Sequence, residues 1–371
     1  MRIAGPSRDA LARTPGGRVA RVRSSRATLA TLGALLLALF VAACRTDAPR
    51  PDATLVGTTM GTSWKVTVAR DGGFATEELT RLRGLVQGEL DAVEASMSTW
   101  RDDTEIARFN RAEPGAGFEV STMFWAVLDA AREAHRTTGG AFDPTVHPLV
   151  RAYGFGGGDG DERVPTDAER AALVRRVGFE KVRLDARPVL DKSEAGVELD
   201  LSAVAKGYAV DRVHAALAEA GVERAMVEVG GELRVRGERP GGGPWRLGIE
   251  DPRVAEARVP FAVVQLSDGA LATSGDYRNT VATEDGPVGH LFDPRVGAPV
   301  SSRVASSSVL APTCARADAL ATAMAVLGGE AAVALALEVG DFEVLVIERG
   351  PDGALVEFQT PGFERCRVEA P

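Results

Sequence analysis

Ala225-Met226-Val227-Glu228-Val229 and, beyond Gly230-Gly231, Leu233-Arg234-Val235-Arg236 open the stretch on which the fold turns. Both are short, Val-containing segments bounded by glycine, the pattern of strands. Trp245–Glu250 and Phe261–Leu266 continue it. Further upstream, Ala53–Thr58 and Ser63–Ala69 read as strands joined by Thr59-Met60-Gly61-Thr62, with shorter strands expected around Lys181–Leu184 and Val197–Leu201. Helices and strands are interspersed without the steady strand-helix-strand rhythm of a parallel sheet. The expected class is α+β, with mixed, largely antiparallel sheets and packed helices.

The helices announce themselves by period and by caps. Leu79, Leu82, Val86, Leu90, Val93 and Met97 recur every three or four residues, one stripe of an amphipathic helix. Ser121 is placed to cap a second helix that runs to His135 and stops at Gly139-Gly140. Thr166 followed by Glu169 is a capping box. Further helices are expected from about Ala205 to Ala220, then as a pair at Ala315–Leu327 and Glu330–Val339, before a closing strand at Phe342–Ile347. Gly154–Asp161 reads as a glycine-rich loop. No internal repeat and no linker divides the body, so 53–371 is expected to be one domain, or two intertwined subdomains.

Composition narrows the class. The 371 residues are 45% apolar and 26% charged, enough apolar content for a large core. Net charge is −9 and aromatics are 5%, which argues against nucleic acid as a partner. The charge is unevenly spread. Residues 1–44 hold seven Arg against Asp9, a net +6, so the rest carries −15. Behind the Arg18–Arg26 cluster, Ala27–Ala43 is uncharged and spans roughly 25 Å as a helix, a signal h-region in length. It ends Val41-Ala42-Ala43-Cys44, which resembles a bacterial lipobox. That resemblance implies a lipoprotein signal peptide over 1–43, lipid on Cys44, a tether over 44–52 and a body outside the cytoplasm. A short membrane anchor with an incidental Cys is the alternative. Cys314 and Cys366 remain in the body and could form a disulfide or stand apart.

Four segments could carry chemistry. Asp143 sits on a Pro-stiffened turn after Gly139-Gly140, a position that equally suits a simple turn starter. Asp200 leads into a helix whose first turn is expected to hold Lys206, near free N–H groups suited to a phosphate; an exposed, solvated Lys is the alternative. Thr273-Ser274-Gly275-Asp276-Tyr277 is followed by His290, beside Asp293, while His135 and His214 fall on helix faces as structural residues. Asp318 and Thr322 lie one helical turn apart and face the same way. An acid with a neutral oxygen suits half of a Mg²⁺ or Ca²⁺ site; a helix cap or a back-bonded Thr explains the pair without metal. No Cys/His cluster supports zinc.

Taken in order, these segments resemble the FAD:protein FMN transferase (ApbE) family from about Thr58 to Ile347. The resemblance rests on Thr59 to Thr62, Ser98-Thr99-Trp100, Ile106 to Asn110, Gly140 to Thr145, Asp200 to Tyr208, Gly230-Gly231, Ala272 to Tyr277, His290 to Arg295 and Ala317 to Thr322. It implies transfer of FMN from FAD to a Thr hydroxyl of an acceptor protein, with release of AMP and a requirement for Mg²⁺. The implied metal ligands are the Ala203 carbonyl, Asp318 and Thr322. The implied FAD contacts are Met60, Trp100, Ala141, Phe142, Asp143, Asp200, Lys206 and Phe292, with His290 near the diphosphate. His290 is favoured as the base, with Asp293 as a residue that could orient it, and Lys206 would offset phosphate charge. Trp100 could instead be core. Val41 and the glycine-rich stretch near Gly156 depart from the family pattern.

The resemblance also implies acceptors among subunits of membrane redox complexes, and a lipid-anchored place on the periplasmic face of the bacterial inner membrane. Two other activities use the same residues: Mg²⁺-dependent hydrolysis of FAD to FMN and AMP, and FAD binding without turnover.

Overall fold

The structure, a computed structural model, describes residues 50–155, 164–186, 188–254, 260–275, 280–283, 286–300 and 303–369. The signal and Cys44, most of the glycine-rich loop, and Asp276 and Tyr277 lie outside the described residues.

Eight strands form one sheet: β1 (Arg50–Thr59), β2 (Thr62–Phe74), β3 (Arg224–Val229), β4 (Glu232–Arg236), β5 (Asp268–Gly275), β6 (Val304–Ala311), β7 (Glu343–Arg349) and β8 (Leu355–Gln359). Their order across the sheet is their order in the chain, and every neighbouring pair is antiparallel. The expected α+β class with antiparallel sheet is therefore what the chain adopts. Helices α1 (Thr76–Met97), α2 (Glu105–Arg111), α3 (Thr122–Thr137), α4 (His147–Ala152), α5 (Asp167–Val174) and α6 (Ser202–Glu219) are inserted between β2 and β3. The pair α7 (Cys314–Leu327) and α8 (Gly329–Val339) lies between β6 and β7, and α9 (Pro361–Cys366) follows β8.

Alternation along the strands sorts side chains into two cores. Trp64, Val66, Val68, Val227, Val229, Val344 and Val346 pack with the helices. Val235, Leu271, Leu345 and Ile347 point to the other face, against Trp245, Leu247, Ile249 and Phe363. The second core is closed by a three-stranded sheet built from Trp245–Glu250, Pro260–Leu266 and Arg367–Val368. Within β6, Val304 and Val309 share the helical face although they lie an odd five positions apart. A register shift between Val304 and Ser306 reverses the parity, as a bulge does. Cys314 and Cys366 are free thiols and belong to different cores.

The stripe read from α1 is the buried face: Leu82, Val86, Leu90, Val93 and Met97 are all inside, each contributing about 2 kcal/mol of transfer free energy. Ser121 caps α3 through the Phe124 N–H, and Thr166 with Glu169 forms the expected box at α5. Two expectations fail. Val197–Leu201 is no strand, because its backbone is satisfied elsewhere. Asn110 pairs with both the N–H and the carbonyl of Leu199 (2.7 and 2.9 Å), and the Asp200 N–H donates to Pro144 O at 2.7 Å. And α6 begins at Ser202, three residues early, which places Lys206 in its second turn.

Helix α7 is capped from outside. Its N-terminal N–H groups, on Cys314 and Ala315, donate to Asp211 of α6 at 2.9 Å each, and Asp211 also holds Arg234. One turn on, His214 is buried facing Arg234 and Arg236. Burial, then the two guanidinium charges, push its imidazole down to about 4. The unfolded chain gains this proton near pH 6.5 and the folded one only near 4, so stability falls across that window and levels off below it. His214→Gln is expected to make the acid limb of a denaturation-midpoint-versus-pH curve shallower between pH 6.5 and 4. An unchanged slope removes His214 from the acid response.

Candidate active site

Where the chain's turns and helix ends meet at the large sheet, they enclose a cleft of about 980 Å³, to which the Trp245–Glu250 strand also contributes Arg246, Leu247, Gly248 and Glu250. The residues assigned to metal, FAD or the base from the body's sequence line it: Met60, Trp100, Ala141, Phe142, Asp143, Asp200, Ala203, Lys206, His290, Phe292, Asp318 and Thr322, whereas Asp293 does not. They come from at least six separate segments, which only the sheet and the helix layer bring together. Cys44 lies outside the described residues.

The β1–β2 turn sets the first wall. Met60 (φ 45°) and Gly61 (φ 69°) occupy the two central positions, as a two-residue hairpin turn requires. Among the described residues Met60 is the one non-glycine at positive φ, a strained backbone kept where the side chain faces the cleft. Glu94 of α1 holds the turn by accepting the Met60 N–H at 3.0 Å. Trp100, just past α1, is 75% exposed, which excludes a core role for its ring.

The Ala141–Asp143 wall is fixed by Asp143 itself. One carboxylate oxygen accepts from the Thr145 N–H (2.8 Å) and hydroxyl (2.5 Å), the other from the Phe179 N–H at 3.0 Å. Burial, only partly offset by those bonds, raises its pKa above the usual carboxylate value. Next to it, Asp200 accepts the Ser202 N–H at 2.8 Å and faces the His147 ring at 3.6 Å. Burial alone would raise Asp200, but His147 and Ser202 outweigh it and hold the carboxyl below its ordinary range.

The deepest part belongs to α6 and α7. Asp318 accepts the Gly207 N–H at 2.9 Å, the group that regular helical pairing would direct to the Ala203 carbonyl. Thr322 shares a 3.1 Å hydroxyl contact with Ser274 of β5. Lys206 forms an ion pair with Glu232, the first residue of β4. Burial disfavours the Lys206 charge, yet Asp318 and Glu232 more than compensate and keep it protonated. Asp318 is pushed up to about 7, by burial first, with Lys206 opposing and Glu232 adding. Asp293, considered as a partner for His290, is taken by Arg295, at 2.8 and 2.7 Å.

This lining is short of positive charge. Asp143, Asp200, Glu228, Glu232, Glu250 and Asp318 line the cleft against Lys65, Lys206 and Arg246. The second oxygen of buried Glu232 has no hydrogen-bond partner. A polyanion would need further positive charge here, and the donors around Asp318 are all oxygen: a carboxylate at Asp318, a hydroxyl at Thr322, a carbonyl at Ala203. That set fits a hard divalent cation. Among the described residues no three His, Cys, Asp or Glu side chains group as a metal site.

Glu232 and His147 escaped sequence reasoning. Glu232 falls between Gly230-Gly231 and the strand expected from Leu233, and its burial beside Lys206 arises from the packing of β4 against α6.

The model of the ApbE family matches residues 60–346. An FAD:protein FMN transferase of Vibrio cholerae serotype O1 is 38% identical over 90% of this chain and 97% of its own length. Its counterpart from Haemophilus influenzae is 37% identical over 86% and 92%. Among solved structures, the flavin transferase ApbE from Vibrio cholerae superposes with a TM-score of 0.77 at 37% identity, covering 86% of this chain and all of that one.

Proposed function

The chain belongs to the ApbE family, and on that premise we infer that it is an FAD:protein FMN transferase, acting with Mg²⁺ on a Thr hydroxyl of an acceptor protein and releasing AMP. The observation that carries this reading is the carboxylate excess around Lys206, Asp318 and Thr322 in a cleft of dinucleotide size.

The Thr oxygen attacks the phosphorus of the FMN half. The anhydride bond to the AMP half breaks, AMP takes the bonding electrons, and the hydroxyl proton passes to the imidazole of His290. Asp318, Thr322 and the Ala203 carbonyl would hold Mg²⁺, which when bound would supply Lewis-acid neutralisation of the diphosphate. Lys206, locked to Glu232, fixes the charge balance at the same end of the cleft. Met60 and Trp100 offer a thioether and an exposed ring to the planar heterocycles of the substrate. Phe292, packed on Tyr153 at 4.9 Å, adds a further ring to the lining. The Asp143 loop and Asp200 orient the dinucleotide.

Lipid on Cys44, after cleavage of a signal over 1–43, tethers the domain to the periplasmic face of the inner membrane. Support comes from the basic cluster, the h-region Ala27–Ala43 and the small residues before Cys44. Acceptors there are Thr-bearing subunits of membrane redox complexes.

The test is a mass-resolved product assay with FAD, Mg²⁺ and a flavin-acceptor domain. Covalent FMN on the acceptor with one AMP per transfer is expected. Free FMN and AMP with an unmodified acceptor means hydrolysis instead, and bound FAD with no AMP means binding alone.

A further inference from the structure

His147 has no place in the chemistry above and does not line the cleft, yet it is 6% exposed and lies between two carboxylates. Its Nδ1 is 3.6 Å from Asp200 Oδ2, and its Nε2 is 3.8 Å from Glu198 Oε2. Glu198 is in turn paired with Arg151, one turn along α4, at 3.2 Å. The flanking residues of this short helix, Val146 and Val150, do line the cleft, so α4 is the wall and His147 stands behind it. Both the His147 Nδ1 and the Glu198 Oε2 are buried without a hydrogen bond. An unpaired buried donor or acceptor is costly, and a small closing movement of these side chains would satisfy both.

We propose that His147 is a positioning residue for the transfer reaction, bridging Asp200 to Glu198–Arg151 and fixing the orientation of the Asp200 carboxylate in the cleft. The other Asp200 oxygen is already tied to the Ser202 N–H at 2.8 Å, and its backbone N–H to Pro144 O at 2.7 Å. The ring is the remaining constraint on the carboxylate plane. Without it, Asp200 and Glu198 share a buried region with no donor between them, and Asp200 turns toward water in the cleft. The inference rests on the reading of Asp200 as a substrate contact.

The experiment is a double-mutant cycle on the full chain with FAD as the ligand, comparing Asp200→Asn, His147→Leu and the pair. Dissociation constants come from flavin fluorescence without acceptor, and steady-state constants from AMP release with it. His147→Leu is expected to raise the FAD dissociation constant and KM about tenfold with kcat within about twofold. The pair is expected to bind FAD no more weakly than Asp200→Asn alone. His147→Gln, which keeps one N–H toward Asp200, recovers most of the affinity and serves in the same cycle if the Leu variant does not fold. Additive losses, or unchanged FAD affinity in both His147 variants while Asp200→Asn weakens it, overturn the proposal. Unchanged affinity in Asp200→Asn refutes the substrate role of Asp200 instead.

Discussion

Asp318→Asn is expected to lower kcat/KM for AMP release about a thousandfold while leaving the protein folded. The substitution keeps an oxygen to accept the Gly207 N–H, so the link between α6 and α7 survives. What disappears is the charge, in a cleft whose buried lining joins Asp318 to Glu232 and Lys206. Losses of two to three orders of magnitude are typical when one preorganised electrostatic contact to a transition state is removed. Stability should hold or rise slightly, because the carboxylate that is removed was buried at a cost. Product quantification beside a thermal melt separates the two effects. A variant retaining more than about a tenth of wild-type kcat/KM would take Asp318 out of the reaction.

The second large effect is structural. A Cβ on Gly207 would lie 2.3 Å from the Cys314 carbonyl oxygen, 2.6 Å from its carbon and 2.8 Å from the Ala315 nitrogen. All three are backbone atoms at the start of α7, pinned there by Asp211, so no side chain can swing aside. Gly207→Ala must therefore push α6 and α7 apart. The expected destabilisation is about 3 kcal/mol, a melting temperature lower by roughly 6 to 10 °C. Activity falls with it, since α6 carries Ala203 and Lys206 while α7 carries Asp318 and Thr322, and displacements near 1 Å cost about a hundredfold. A melting temperature within about 2 °C of wild type would mean that the helices have slack here.

Only the first of these two sites could be read from the letters alone. Asp318 and Thr322 were legible because a helical period of 3.6 fixes their common direction without any knowledge of the fold. The α1 stripe, the Ser121 cap and the Thr166–Glu169 box were legible for the same reason, being local patterns with local causes. β6 was not. It runs through the sheet between β5 and β7 with every residue buried, yet Ser306-Ser307-Ser308 puts a run of polar letters at its centre. Its burial is decided by neighbours on both sides rather than by its own side chains. Val197–Leu201 misled in the opposite sense: apolar alternation suggested a strand, but Asn110, some 89 residues away, supplies the pairing. The same limit applies in the site, where Glu232 and His147 acquire meaning only beside Lys206 and Asp200.

The most direct trial of the account is turnover before and after removal of divalent cations, on a folded sample with FAD and an acceptor domain. Chelation is expected to abolish both AMP release and acceptor labelling, and added Mg²⁺ to restore both in wild type but not in Asp318→Asn. Undiminished labelling in the chelated wild-type enzyme would contradict the claim that this cleft accepts a diphosphate only together with a cation.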